Sequence, residues 1–80
     1  MILCEVVGRV WPESPLAGLN QKALVTVRDI HSGALQVALD LAGAGTGARV
    51  LVVVGEPARV IADGAPVDAV VTAIVAADSV

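Results

Sequence analysis

Residues 50–54 read Val-Leu-Val-Val-Val, an apolar run with no polar position inside it. A β-strand sends successive side chains to opposite faces, so a strand without alternation is covered on both sides. The run is too short for a helix of ordinary length, and Arg49 and Gly55 bound it. A chain of 80 residues has little material with which to cover two faces of a strand. One face of this segment is therefore expected to lie against a neighbouring subunit.

Small domains commonly make up a thin core with disulfides, a metal or association. There is one cysteine, Cys4, so no internal disulfide can form, and one histidine, His31, with no Cys/His cluster for structural zinc. Association remains. The residues A, V, I, L, M, F, W, Y and C make up 56% of the chain, with 8 glycines besides. Globular domains carry roughly 45–50% on nearly the same count. Such an excess must be covered by lipid or by other protein chains. Lipid is disfavoured, since a spanning helix needs about 18 uncharged apolar residues. Every apolar run here is interrupted earlier; Ala69–Ala77, for instance, lies between Asp68 and Asp78. Glu5 and Arg9 likewise break any signal-peptide core. The expectation is a soluble, intracellular, self-associating single domain over residues 1–80.

The rest of the chain reads as short β segments separated by Gly and Pro. Ile2–Trp11 alternates, with Ile2, Cys4, Val6, Gly8 and Val10 on one face and Leu3, Glu5, Val7, Arg9 and Trp11 on the other. Gly8 in its middle predicts a bulge or a corner. Pro12–Gln21 is a loop. Lys22–Ile30 and Ala34–Asp40 form a hairpin around His31-Ser32-Gly33, with Leu35, Val37 and Leu39 expected inward and Gln36 and Asp40 outward. Gly43, Gly45 and Gly47 give the next loop backbone freedom. Glu56–Ala62 is a short helix, with Pro57 in its first turn and Gly64 stopping it. Val67–Ala77 is the last strand, and its length predicts that its end pairs with another chain. The order predicts a mainly β fold, a small five-stranded OB-like Greek-key barrel with one short helix before the last strand.

Several functions fit poorly. A net charge of −3 with 5 Lys+Arg offers no basic groove, and Trp11 as the lone aromatic offers no stacking platform, so nucleic acid is not an expected partner. Gly43-Ala44-Gly45-Thr46-Gly47 lacks the Gly-Lys-Ser/Thr ending of a phosphate loop and leads into a strand rather than a helix. Cys4 has no basic neighbour in sequence and reads as core packing. His31 reads as an exposed turn residue, and Trp11 as a half-buried packing residue or interface anchor. No catalytic, cofactor-binding or metal-binding set emerges.

Several segments together resemble one family. They are Val6-Val7-Gly8-Arg9-Val10; Leu16-Ala17-Gly18-Leu19 before a strand ending Arg28-Asp29; Asp40-Leu41-Ala42-Gly43-Ala44-Gly45 with Gly47; Val50–Val54 with Gly55 and Ala58-Arg59; and Pro66-Val67-Asp68-Ala69-Val70-Val71 continuing through Ile74-Val75. At this spacing the chain resembles the EutN/CcmL family, the vertex proteins of bacterial microcompartments. Ala48 and Glu56 depart from the acidic and small hydroxyl residues that the family commonly places there. The resemblance implies a five-stranded barrel, a homopentamer at the five-fold corners of a polyhedral shell, hexameric shell proteins as partners, a cytoplasmic location within that shell, and no catalysis. Gly43, Ala44, Gly45, Gly47, Arg49, Arg59, Val67 and Asp68 are the expected subunit-interface or ring residues, and Arg28, Arg49 and Arg59 the candidate rim contacts. The competing readings are an OB-like ligand-binding module and an enzyme-accessory subunit.

Overall fold

The computed structural model describes residues 1–11 and 23–76. The expected Pro12–Gln21 loop, with its Leu16–Leu19 motif, lies outside the described residues, as do Lys22 and Ala77. The elements in chain order are β1 (Ile2–Val10), β2 (Ala23–Asp29), β3 (Leu35–Asp40), β4 (Arg49–Val54), α1 (Glu56–Ala62) and β5 (Ala69–Val75). The strands close in the order β1-β2-β3-β5-β4, with β4 pairing back onto β1. This is a five-stranded Greek-key barrel with a short helix before the last strand.

Two apolar clusters occupy opposite faces of the same strands. Cys4, Val6, Val27, Ala38, Val50 and Val71 belong to the larger one, which draws on all five strands and fills the barrel. Leu24, Leu39 and Val70 take the opposite parity and meet Ala58 and Ala62 of α1 outside it. The helix presents alanines at this contact, which lets its backbone sit close to the sheet. No polar side chain is buried among the described residues.

The unbroken run in β4 is covered on one face by the barrel interior, and on the face expected to meet a neighbouring subunit it is covered in part by the chain's own helix. Val50 and Val52 face the interior, while Val53 packs toward α1. Leu51 stays half-exposed on the outer face, directly opposite Leu3 on β1 and Ala73 on β5.

Gly8 marks a bulge, as its position predicts: the β1–β2 register shifts between Val6 and Gly8. The shift swaps the faces beyond it. Arg9 stands opposite inward-facing Val25, and Val10 opposite Leu24 of the outer cluster. The uniform alternation expected for Ile2–Trp11 therefore ends at the bulge.

The facing expected for β3 is reversed. Ala38 enters the barrel, whereas Leu35, Val37 and Leu39 point outward. Leu39 is buried there because α1 covers it, and Leu35 and Val37 remain 63% and 48% exposed. Asp40 takes the inward parity at the strand end, where its carboxylate turns to the following loop. The last strand also begins later than expected. The Val67 N–H bonds the Ala65 carbonyl at 2.8 Å, which holds Val67 out of the ladder until Ala69.

Candidate functional site

The loop after β3 is organised by Asp40. Its Oδ1 accepts the N–H groups of Ala42 and Gly43 at 2.9 and 3.0 Å, and its Oδ2 accepts that of Ala44 at 2.9 Å. The backbone then makes two turns through left-handed φ, +74° at Gly43 and +88° at Gly47. Gly47 N–H donates to the Val6 carbonyl at 2.8 Å, and Val6 N–H donates to the Ala48 carbonyl at 2.9 Å. The loop is thereby fastened to β1 just before its bulge. Sequence reasoning singled out the glycines and missed Asp40. The signal was present in an aspartate followed by small residues and glycine, the usual source of a side chain that caps its own turn.

The expected interface residues fall into three groups. Gly43, Ala44 and Gly45 line one barrel mouth with Val6, Arg9 and Asp40, around a cleft of about 320 Å³. Arg59, Val67 and Asp68 border a shallow cleft of about 430 Å³ with Gly64, Ala65 and Pro66. Arg49 lies elsewhere, opposite Glu5 on β1 and Val75 on β5. Gly47 belongs to the first group through its bond to Val6. Asp68 also contributes through its backbone, its carbonyl accepting the Gly55 N–H at 2.8 Å.

The charges sit on the outside. Arg28 donates to Glu5 at 2.8 Å, and both side chains are nearly half-exposed, so the pair contributes about 0–1 kcal/mol. Arg49 flanks Glu5 from the other strand. The resulting row runs Leu35, Arg28, Glu5, Arg49, Val75 across the outer face. Arg59 pairs with Glu56 at 3.2 Å along the exposed face of α1. Arg9 lays its guanidinium 4.3 Å from the centre of the Trp11 ring. Trp11 is 75% exposed, so the half-buried position expected for it does not hold. It stands one residue past the end of β1.

These groups do not assemble a catalytic centre. Burial, and secondarily the Asp29 charge, push the Cys4 thiol above its usual range and keep it protonated. Asp29 accepts the N–H groups of Ser32 and His31 in the hairpin turn, at 3.1 and 2.8 Å, which holds its carboxyl below the usual range. His31 is exposed in that turn. Among the described residues no three of His, Cys, Asp and Glu converge as a metal site, and no helix is long and apolar enough to cross a membrane.

A closed five-stranded barrel with an apolar interior and apolar strand residues exposed on its outside defines the class, a small β-barrel domain with surface suited to association. Membership within that class is specific. The family model described as ethanolamine utilisation protein EutN/carboxysome matches residues 1–76, and the chain belongs to this EutN/CcmL family. Its fold is similar to that of EutN from Escherichia coli, with 38% identity, TM-score 0.85 and coverage of 94% of this chain and 84% of that one. It is similar to the pentameric microcompartment shell protein GrpN from Rhodospirillum rubrum, with 33% identity, TM-score 0.85 and coverage of 95% and 94%. It also resembles MSM0273, the pentameric shell protein of the RMM microcompartment, with 28% identity, TM-score 0.89 and coverage of 100% and 95%. No curated protein matches the chain.

Proposed function

We propose that this protein is a structural subunit of a bacterial microcompartment shell, a homopentamer that occupies the five-fold vertices among hexameric shell proteins in the cytoplasm. It has no catalytic activity of its own. The observation that carries this reading is membership of the EutN/CcmL family over residues 1–76, in a chain similar to two pentameric shell proteins across nearly its whole length.

The physical logic agrees. Six-fold tiles alone form flat or rolled sheets, and a closed polyhedron requires five-fold corners. A head-to-tail interface repeated around an axis closes into a ring when the rotation per step allows it. The Asp40-braced loop through Gly43, Ala44, Gly45 and Gly47 gives a fixed backbone surface for the ring. Arg49, Arg59, Val67 and Asp68 sit at exposed or half-exposed positions suited to subunit contacts, and Arg28, Arg49 and Arg59 offer directional donors to the rim. An OB-like ligand-binding or enzyme-accessory role is disfavoured by the scattered titratable groups.

Native mass spectrometry tests the ring. A dominant species near 40 kDa, five times the 8.0 kDa chain, is expected, and a stable monomer refutes the proposal. Co-expression with hexameric shell proteins tests the corner role. Closed particles should form with the protein present, and open sheets or tubes without it.

A further inference from the structure

The barrel is closed by a short seam. β3 and β5 run parallel and are in register only at Leu39–Val70 and Asp40–Val71, with one further bond from Leu41 N–H to the Val71 carbonyl at 3.3 Å. The two strands are offset along the seam. Residues 35–38 of β3 pair with β2 alone, and residues 73–75 of β5 pair with β4 alone, with Thr72 at the irregularity in that ladder. Each therefore presents an unpaired strand edge among the described residues. The edges read Leu-Gln-Val-Ala and Thr-Ala-Ile-Val, with neither a charge nor a proline. Natural proteins protect free edges with such residues, and an unprotected edge is a template for another strand. The side chains beside them are uncovered: Leu35 and Val37 at 63% and 48% on β3, and Ile74 at 53% on β5.

We infer that the free edge of β5 in one protomer pairs with the free edge of β3 in the next, so that the subunit interface is a continuation of the sheet. The occupant is a second copy because the two edges answer each other. Each offers a short run of unpaired backbone, and each carries exposed apolar side chains, Leu35 and Val37 beside Gln36 on β3 and Ile74 beside Thr72 on β5. They are also different surfaces. Pairing like with like would give an isologous dimer and leave the other edge of each chain bare. Pairing β5 with β3 uses both and leaves every protomer with one edge to give and one to receive, the heterologous contact from which rings are built. Main-chain bonds supply the join, and Leu35, Val37 and Ile74 supply its apolar cover. This inference rests on the ring reading above and names the surface that makes the ring.

Two variants and one cross-link test it, all at one protomer concentration. Leu35→Lys/Val37→Lys should sediment as a monomer while keeping its β-sheet circular dichroism. Val60→Lys/Ile61→Lys, on the exposed side of α1, should remain a ring. With Cys4 replaced by valine, Val37→Cys/Ile74→Cys should oxidise to a ladder of species above the dimer on a non-reducing gel, and neither cysteine alone should exceed the dimer. A Leu35→Lys/Val37→Lys variant that remains a ring overturns the inference and leaves the pentamer standing. If that variant does not fold, the cross-link decides, and an assembled ring that yields nothing above the dimer overturns the inference. A parent protein that is itself monomeric refutes the ring reading, and the inference with it.

Discussion

Replacing Asp40 by alanine removes one carboxylate and orphans three backbone donors. Two of them, the N–H groups of Ala42 and Ala44, are part-buried, and the third, on Gly43, is exposed. A bond to a charged acceptor contributes about 1.5 kcal/mol at the low end when partly buried, and water replaces much of an exposed one. The three together come to about 3 kcal/mol. A domain of this size has roughly 4–12 kcal/mol in total, so the loss is a large fraction of its stability. Asp40→Asn keeps one acceptor oxygen for Ala42 and Gly43 but turns an amide donor toward the Ala44 N–H, and should lose about half as much. Urea unfolding at a fixed protomer concentration measures this. With a slope of about 1–3 kcal/mol/M, the alanine variant's midpoint should fall by about 1–3 M. Amide exchange at residues 42, 43 and 44 should accelerate ahead of the strands. A midpoint within about 0.3 M of the parent, with unchanged exchange at those amides, would show that the carboxylate does not brace the loop.

Gly47→Ala places a side chain at φ +88° and should cost about 1–2 kcal/mol, whereas Gly45→Ala, at ordinary φ and in open space, should cost less than about 0.5; comparing their thermal midpoints checks the contrast. Leu39→Ala empties a fully buried site beneath α1 and should lose about 2–5 kcal/mol in denaturant unfolding, against less than about 0.5 for Val60→Ala on the exposed side of the helix. Cys4 makes stability fall in alkali. Below the unfolded thiol's pKa of about 8.5 both states hold the proton and stability is complete; as pH rises past it, the unfolded thiol ionises first and stability is lost until the higher folded pKa is reached. Cys4→Val should flatten the stability profile above the unfolded thiol's pKa of about 8.5. An identical slope in both proteins would refute the assignment.

The legible parts of this fold were those where one local rule acted alone. β4 and α1 run from Arg49 to Val54 and from Glu56 to Ala62, as their bounding glycines and Pro57 foretold. Gly8 announced its bulge, but not that the bulge would exchange Arg9 and Val10 between faces. β3 defeated the pattern because both of its faces carry apolar residues. Leu35, Val37 and Leu39 outweigh Ala38 in bulk, yet the crowded barrel interior takes the alanine and leaves the larger side chains outside. No alternation rule distinguishes an interior from an outer face meant for a helix and a neighbour. The site was less legible for a related reason. The glycines of the Gly43–Gly47 loop stand out in sequence, while the residue that fixes them, Asp40, looks like an ordinary polar strand end. Arg49, Arg59 and the Gly43 loop stand in separate places on the surface of the single chain, a separation that spacing along the sequence does not reveal.

The barrel interior is apolar throughout among the described residues, with no buried polar side chain to satisfy. Valine against valine distinguishes poorly between one alignment and the next, although a slip of a single residue would turn every strand inside out. Cohesion and addressing are thus assigned to different places. The interior holds the strands together without saying which residue meets which. The alignment is written at the periphery: in the Asp29 turn, in the Asp40 loop tied to Val6, and in the irregularity at Gly8. Substitutions among small aliphatic residues inside should be tolerated across relatives of this chain, while two aspartates and a few glycines at the rim bear most of the burden of keeping the barrel one shape.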